Sequence, residues 1–106
     1  MNIPQTVKIG GLIYDVSLSN NLLRDSDAMG SSCGNSQSIV LDSTISKQMQ
    51  ESTFIHEIVH QLSYVHHLDL DEAATCRLES AIYAFIIDNP DVFEKGGQSD
   101  GKEKGD

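Results

Sequence analysis

The chain has 106 residues, enough for one domain with one modest hydrophobic core. Sixteen acidic residues against seven basic ones give a net charge of −9, which repels phosphate backbones and argues against nucleic-acid binding. Hydrophobic residues make up 39% and charged residues 22%, ordinary for a soluble globular protein, and no apolar run approaches the roughly 18 to 20 residues of a membrane helix.

The opening segment MNIPQTVKIGG has neither a basic n-region nor an apolar h-region, so no secretory signal is expected and the expected location is the cytoplasm. Residues 7–9 and 12–18 are rich in β-formers. Gly10-Gly11 between them signals a hairpin, because both glycines can take φ > 0. Residues 19–27 read as a polar turn. A second hairpin is expected next, with strands at 29–33 and 37–42 (QSIVLD) around the turn Gly34-Asn35-Ser36. Its first strand runs against propensity, since Gly and Ser are poor strand formers.

A helix is expected from about Ser46 to about His66, with Ser43 and Ser46 as candidate N-caps. Met49, Ile55, Ile58, Val59, Leu62 and Val65 recur at helical spacing and predict a buried stripe. After a turn at 66–70, a second helix is expected from Asp69 or Leu70 to Asp88, with Ala74, Leu78, Ala81, Ile82 and Phe85 as its apolar face. Asp88-Asn89-Pro90 ends it, because a residue before proline avoids the helical region. From Glu94 the chain reads EKGGQSDGKEKGD, without a large apolar residue. The expected organisation is therefore one domain over 1–93 and a disordered tail over 94–106. Cys33 and Cys76 form no CxxC pair and are expected to be reduced thiols.

The chemistry concentrates in His56-Glu57-Ile58-Val59-His60, an HExxH motif. Residues four apart on a helix share a face, so both imidazoles can address one ion. Catalytic zinc takes three protein ligands, histidine nitrogen among them, and leaves one position open. Glu57 follows His56 directly and lies beside the metal without ligating it, where a general base is needed. Helical placement within an apolar stripe separates this motif from a chance match in a polar loop. Candidates for a third ligand are Glu72, Glu79, His66 and His67. His66 has the metzincin spacing, but Ser63 stands where that class has its turn glycine, and no methionine follows Met49. Glu72 opens the second helix, which an antiparallel return would bring beside the metal; Asp69-x-x-Glu72 also reads as a capping box. Glu79 lies two turns further along and fits a supporting role. A thiolate from Cys33 reaching the open zinc position is a further idea.

The segments TFIHEIVHQL and LDEAATCRLESAIYAFIIDNP resemble short phage and mobile-element proteins related to the ImmA/IrrE-type metallopeptidases and to gluzincins. The likeness covers roughly residues 36–90. It rests on an HExxH helix joined to a second helix that opens with a glutamate; Thr75 and Cys76 depart from the alanine and asparagine usual there. The resemblance implies an α+β, minimal zincin-like fold in which a small antiparallel sheet of N-terminal hairpins packs on two helices. It also implies Zn2+ as cofactor, held by His56, His60 and Glu72, with Glu57 as general base. A protein or peptide substrate would bind as an extended strand along an edge strand near 37–42. Tyr64, His66, His67 and Tyr83 are candidate donors to the transition state. The expected function is a zinc-dependent metallopeptidase of narrow specificity. The alternatives are an inactive zincin-shaped regulatory or binding module and a zinc hydrolase acting on a non-peptide bond.

Overall fold

The computed structural model of the protein describes residues 1–93; the tail expected at 94–106 lies outside the described residues. The fold is α+β. Strand β1 (Thr6–Ile9) and strand β2 (Leu12–Ser19) form an antiparallel hairpin, and Gly10 and Gly11 at its tip have φ of 55° and 86°. A short helix α1 (Leu22–Ser26) follows, then strands β3 (Gly30–Cys33) and β4 (Ser38–Asp42). The two long helices are α2 (Lys47–His66) and α3 (Glu72–Asp88), and a single turn α4 (Pro90–Phe93) follows Asn89.

The four strands make one sheet in the order β1-β2-β4-β3. Both hairpins form, but they meet through a parallel pairing of β2 with β4, so the sheet is mixed rather than antiparallel. This places β4 inside the sheet. The free edge beside α2 is β3, not the strand near 37–42.

Side chains alternate across the sheet, as a sheet covered on one face requires. Ile9, Tyr14, Ile39 and Leu41 turn inward and meet Phe54, Ile55 and Val59 of α2, forming the core. Ser46 caps α2 by accepting from the Met49 amide at 3.2 Å. Met49, at the start of the expected stripe, is exposed.

The segment at 19–27 holds α1 where a turn was expected. Five residues are too few for a helical period. What secures the helix is distant in sequence: the Leu23 amide donates to Asp42 Oδ2 at 2.7 Å. Asp42 is fully buried and also accepts from the Thr44 amide at 2.7 Å and from the Thr44 hydroxyl. These bonds, from the Thr44 hydroxyl first and then the Leu23 amide, hold its carboxyl below the usual aspartate range.

Helix α3 packs against α2 through Thr75, Ile82, Tyr83 and Ile86. The expected apolar face holds in part, with Ile82 packed and Ala74 half-buried, but the buried face is rotated from it: Leu78, Ala81 and Phe85 are exposed. Polar partners set the rotation. Tyr83 donates to the buried Glu51 at 2.8 Å; burial first, and then that bond, push its phenol up to about 12. Among the described residues no helix is long and apolar enough to cross a membrane.

Candidate metal centre

The reversal between α2 and α3 is what assembles the site. His67 and Asp69 both adopt left-handed backbone, with φ of 56° and 57°. Ser63 ties the turn down: its carbonyl accepts from the Leu68 amide and its hydroxyl from the Leu70 amide, both at 3.0 Å. Asp71, not Asp69, caps α3, accepting from the Ala74 amide at 2.8 Å. Glu72 is therefore free of the expected capping box, and its side chain turns back towards α2.

There it meets both motif histidines. Glu72 Oε2 lies 3.3 Å from His56 Nε2 and Glu72 Oε1 lies 3.1 Å from His60 Nε2. The two Nε2 atoms are 3.1 Å apart. A tetrahedral ion with bonds of about 2.0 Å has ligand-to-ligand edges of about 3.3 Å, so the spacing suits zinc. His56 Nδ1 lies 2.8 Å from Glu79 Oε1. A carboxylate there favours the proton on Nδ1, which in the neutral ring leaves Nε2 as a lone pair on the side of His60 and Glu72. The second oxygen of Glu79 accepts from the Ser52 hydroxyl. Three electron-rich groups converging this closely repel one another unless a cation, or a proton on His60 Nε2, lies between them. The donor set fits a zinc ion.

Glu57 sits on the adjoining side of α2 and is 7% exposed. Among the described residues it belongs to no metal-spaced group; His56, His60 and Glu72 form one such group, and His56, Cys76 and Glu79 a second. Its Oε1 accepts from the Ser32 hydroxyl at 2.6 Å, a length typical of a charge-assisted bond. The Ser32 oxygen in turn accepts from Gln61 Nε2 at 2.9 Å, and Gln61 Oε1 accepts from the Tyr14 hydroxyl at 2.8 Å. A polar chain, buried at Tyr14 and Gln61 and half-buried at Ser32, thus runs from the sheet to the glutamate of the motif.

A cleft of about 310 Å³ opens over these groups, lined by Met29, Gly30, Met49, Thr53, His56, Glu57, Glu72, Cys76 and Glu79. It holds three carboxylates and no lysine or arginine, a field that draws in cations. One wall is the close contact of β3 with α2. A Cβ on Gly30 would collide with Thr53 Cγ2, and one on Gly34 with the Tyr64 ring.

The other sequence candidates lie elsewhere. His66 packs beside Gly10, His67 is the exposed C-cap of α2, and Tyr83 is bound to Glu51. Tyr64 reaches Asn35 Oδ1 at 3.2 Å across Gly34. Cys33 is exposed and is not among the lining residues, whereas Cys76 is. Ser32, Gln61 and Tyr14 went unnoticed in the sequence. The available signal was the alternation Gly30, Ser32, Gly34, which puts three small residues on the face of β3 that meets the helix. No protein-family model, curated protein or solved structure matches the chain.

Proposed function

We propose that the protein is a zinc-dependent metallopeptidase with a minimal zincin-like fold of the gluzincin type, as its resemblance to short ImmA/IrrE-related phage proteins implies. The observation that carries this reading is the convergence of His56 Nε2, His60 Nε2 and the Glu72 carboxylate at 3.1–3.3 Å, with Glu57 beside them and outside the ligand set.

His56, His60 and Glu72 would hold the ion. A bound zinc supplies Lewis acidity, polarising a carbonyl and acidifying water near it. The remaining work falls to the chain. Glu79 keeps the proton of His56 on Nδ1 and fixes the ring. Glu57, with Oε1 committed to Ser32, takes the proton of the attacking water at Oε2 and delivers it to the leaving amine. An extended peptide would pair with the free edge of β3. The Met29 carbonyl accepts from the Asp42 amide, so Met29, Ser31 and Cys33 face β4; antiparallel alternation turns the backbone groups of Gly30 and Ser32 outward.

One observation favours a second reading. None of Tyr64, His66, His67 and Tyr83 lines the cleft, so the residues lining it include no side-chain donor of those named for an oxyanion. A zincin-shaped binding module would have no use for one. The deciding experiment is metal analysis of wild type, His60→Ala and Glu72→Ala, followed by cleavage of a peptide library with Glu57→Gln as control. The peptidase reading expects one zinc per wild-type chain, loss of zinc in both ligand variants and cleavage that Glu57→Gln abolishes. Stoichiometric zinc without Glu57-dependent cleavage favours the binding module. A well-folded wild type that binds no zinc removes the peptidase reading.

A further inference from the structure

We infer that Ser32 is a positioning residue for Glu57, so that the strand on which the substrate pairs also aims the base. The inference rests on the peptidase reading and deepens it. A carboxylate has two oxygens with about four lone-pair sites, and a glutamate held only at its backbone can turn either one towards the metal. Here the choice is made. Ser32 Oγ donates to Oε1 at 2.6 Å, and Glu57 also lines the cleft.

The serine cannot easily turn away. Its single proton goes to the carboxylate because its oxygen already accepts from Gln61 Nε2, and the Gln61 amide is oriented by Tyr14 at its other end. Tyr14 is fully buried and Gln61 is 5% exposed, so the Tyr14–Gln61 link has no water as a ready substitute, and the two bonds of Ser32 are part-buried. The close approach that Gly30 and Gly34 permit brings the Ser32 side chain within reach of α2. The same residue presents its backbone N–H and C=O at the open edge of β3. Displacement of β3 by a misregistered peptide would therefore also move the base.

The test compares wild type, Ser32→Ala, Ser32→Thr and Glu57→Gln as full chains. The first readout needs no metal and no substrate: the 13C resonance of the Glu57 side-chain carboxylate, assigned by its absence in Glu57→Gln. It shifts in Ser32→Ala and returns towards the wild-type position in Ser32→Thr. The second is turnover of a peptide chosen from the library by the zinc-loaded protein. Ser32→Ala lowers kcat by about 10- to 100-fold, the usual range for a residue supporting a metal site, with zinc content unchanged and KM within about threefold. Ser32→Thr recovers most of it. An unmoved resonance in Ser32→Ala overturns the inference whatever the activity. So does a shifted resonance with unaltered kcat, while Glu57→Gln is inactive; the peptidase reading then survives. Failure of wild type to cleave anything overturns that reading and takes the inference with it, an outcome distinct from the other two.

Discussion

Glu79 was expected in a supporting role from its spacing alone, two turns beyond Glu72. Its oxygens are both engaged, one by His56 Nδ1 and one by Ser52. Replacing it with alanine frees the His56 ring to rotate and to change tautomer. Glu79→Ala should lower zinc affinity by about 10- to 100-fold without unfolding the protein, as measured by competition with a chromogenic chelator. Equal affinity in the variant would show that ring packing alone orients His56. Gly30 offers a second check at this scale. Its contact with Thr53 leaves no room for a methyl group, so Gly30→Ala should destabilise the fold by about 1–3 kcal/mol in denaturant titrations. Removing Thr53 Cγ2 makes the space, and the double variant Gly30→Ala, Thr53→Ser should recover much of the loss. Additive losses would place the strain elsewhere.

Among the elements, α1 depends most on a single side chain. Asp42 holds its N-terminal amide, and its lowered carboxyl makes the contribution pH-dependent. The sign follows from linkage. A carboxyl more acidic in the fold than in the unfolded chain contributes fully above the unfolded value of about 3.9, and that contribution fades as pH falls through the lower folded value. Metal-free wild type should therefore lose stability in this acid range. Asp42→Asn should be less stable at neutral pH and should converge on wild type as the pH drops, seen in urea midpoints between pH 7 and 2. A constant gap across the range would refute the assignment. The same element marks where sequence reading stops. Both hairpins, the 20-residue helix and the Asn89 stop were legible, because glycine pairs, helical periodicity and X-Pro steps are local signals. The α1 anchor, the parallel junction of β2 with β4, and the rotation of α3 depend on partners 19 to 32 residues away. The three proposed ligands were visible as a motif with a neighbour, and their proximity is what the structure adds; the Tyr14-Gln61-Ser32 chain was not visible, since polar residues on separate elements share no spacing.

For the whole molecule, the proposed metal centre would also be a clasp between α2 and α3. Helix α3 buries only Thr75 completely, and its remaining apolar hold on α2 comes through half-buried Ile82, Tyr83 and Ile86, beside the polar bonds of Glu79. An ion bound by ligands from both helices should stabilise the fold by mass action, about 2.7 kcal/mol at a free concentration 100 times Kd. Thermal unfolding with and without a chelator measures this, and Glu72→Ala should abolish the difference. An unchanged melting temperature on zinc addition to wild type would mean that no ion bridges the helices.

The contact of β3 with α2 carries one more consequence, for how the chain tolerates change. GSSCG reads like a spacer, the kind of stretch a protein engineer would choose for an insertion or a tag. Yet Gly30 and Gly34 abut Thr53 and Tyr64, and Ser32 bridges Gln61 to Glu57. In a saturation library selected for folded protein, substitutions at 30, 32 and 34 should be depleted while those at 31 and 33, on the outer face, are accepted. Three of the five residues in this linker-like stretch would then be among the least replaceable, in strict alternation with two that are not.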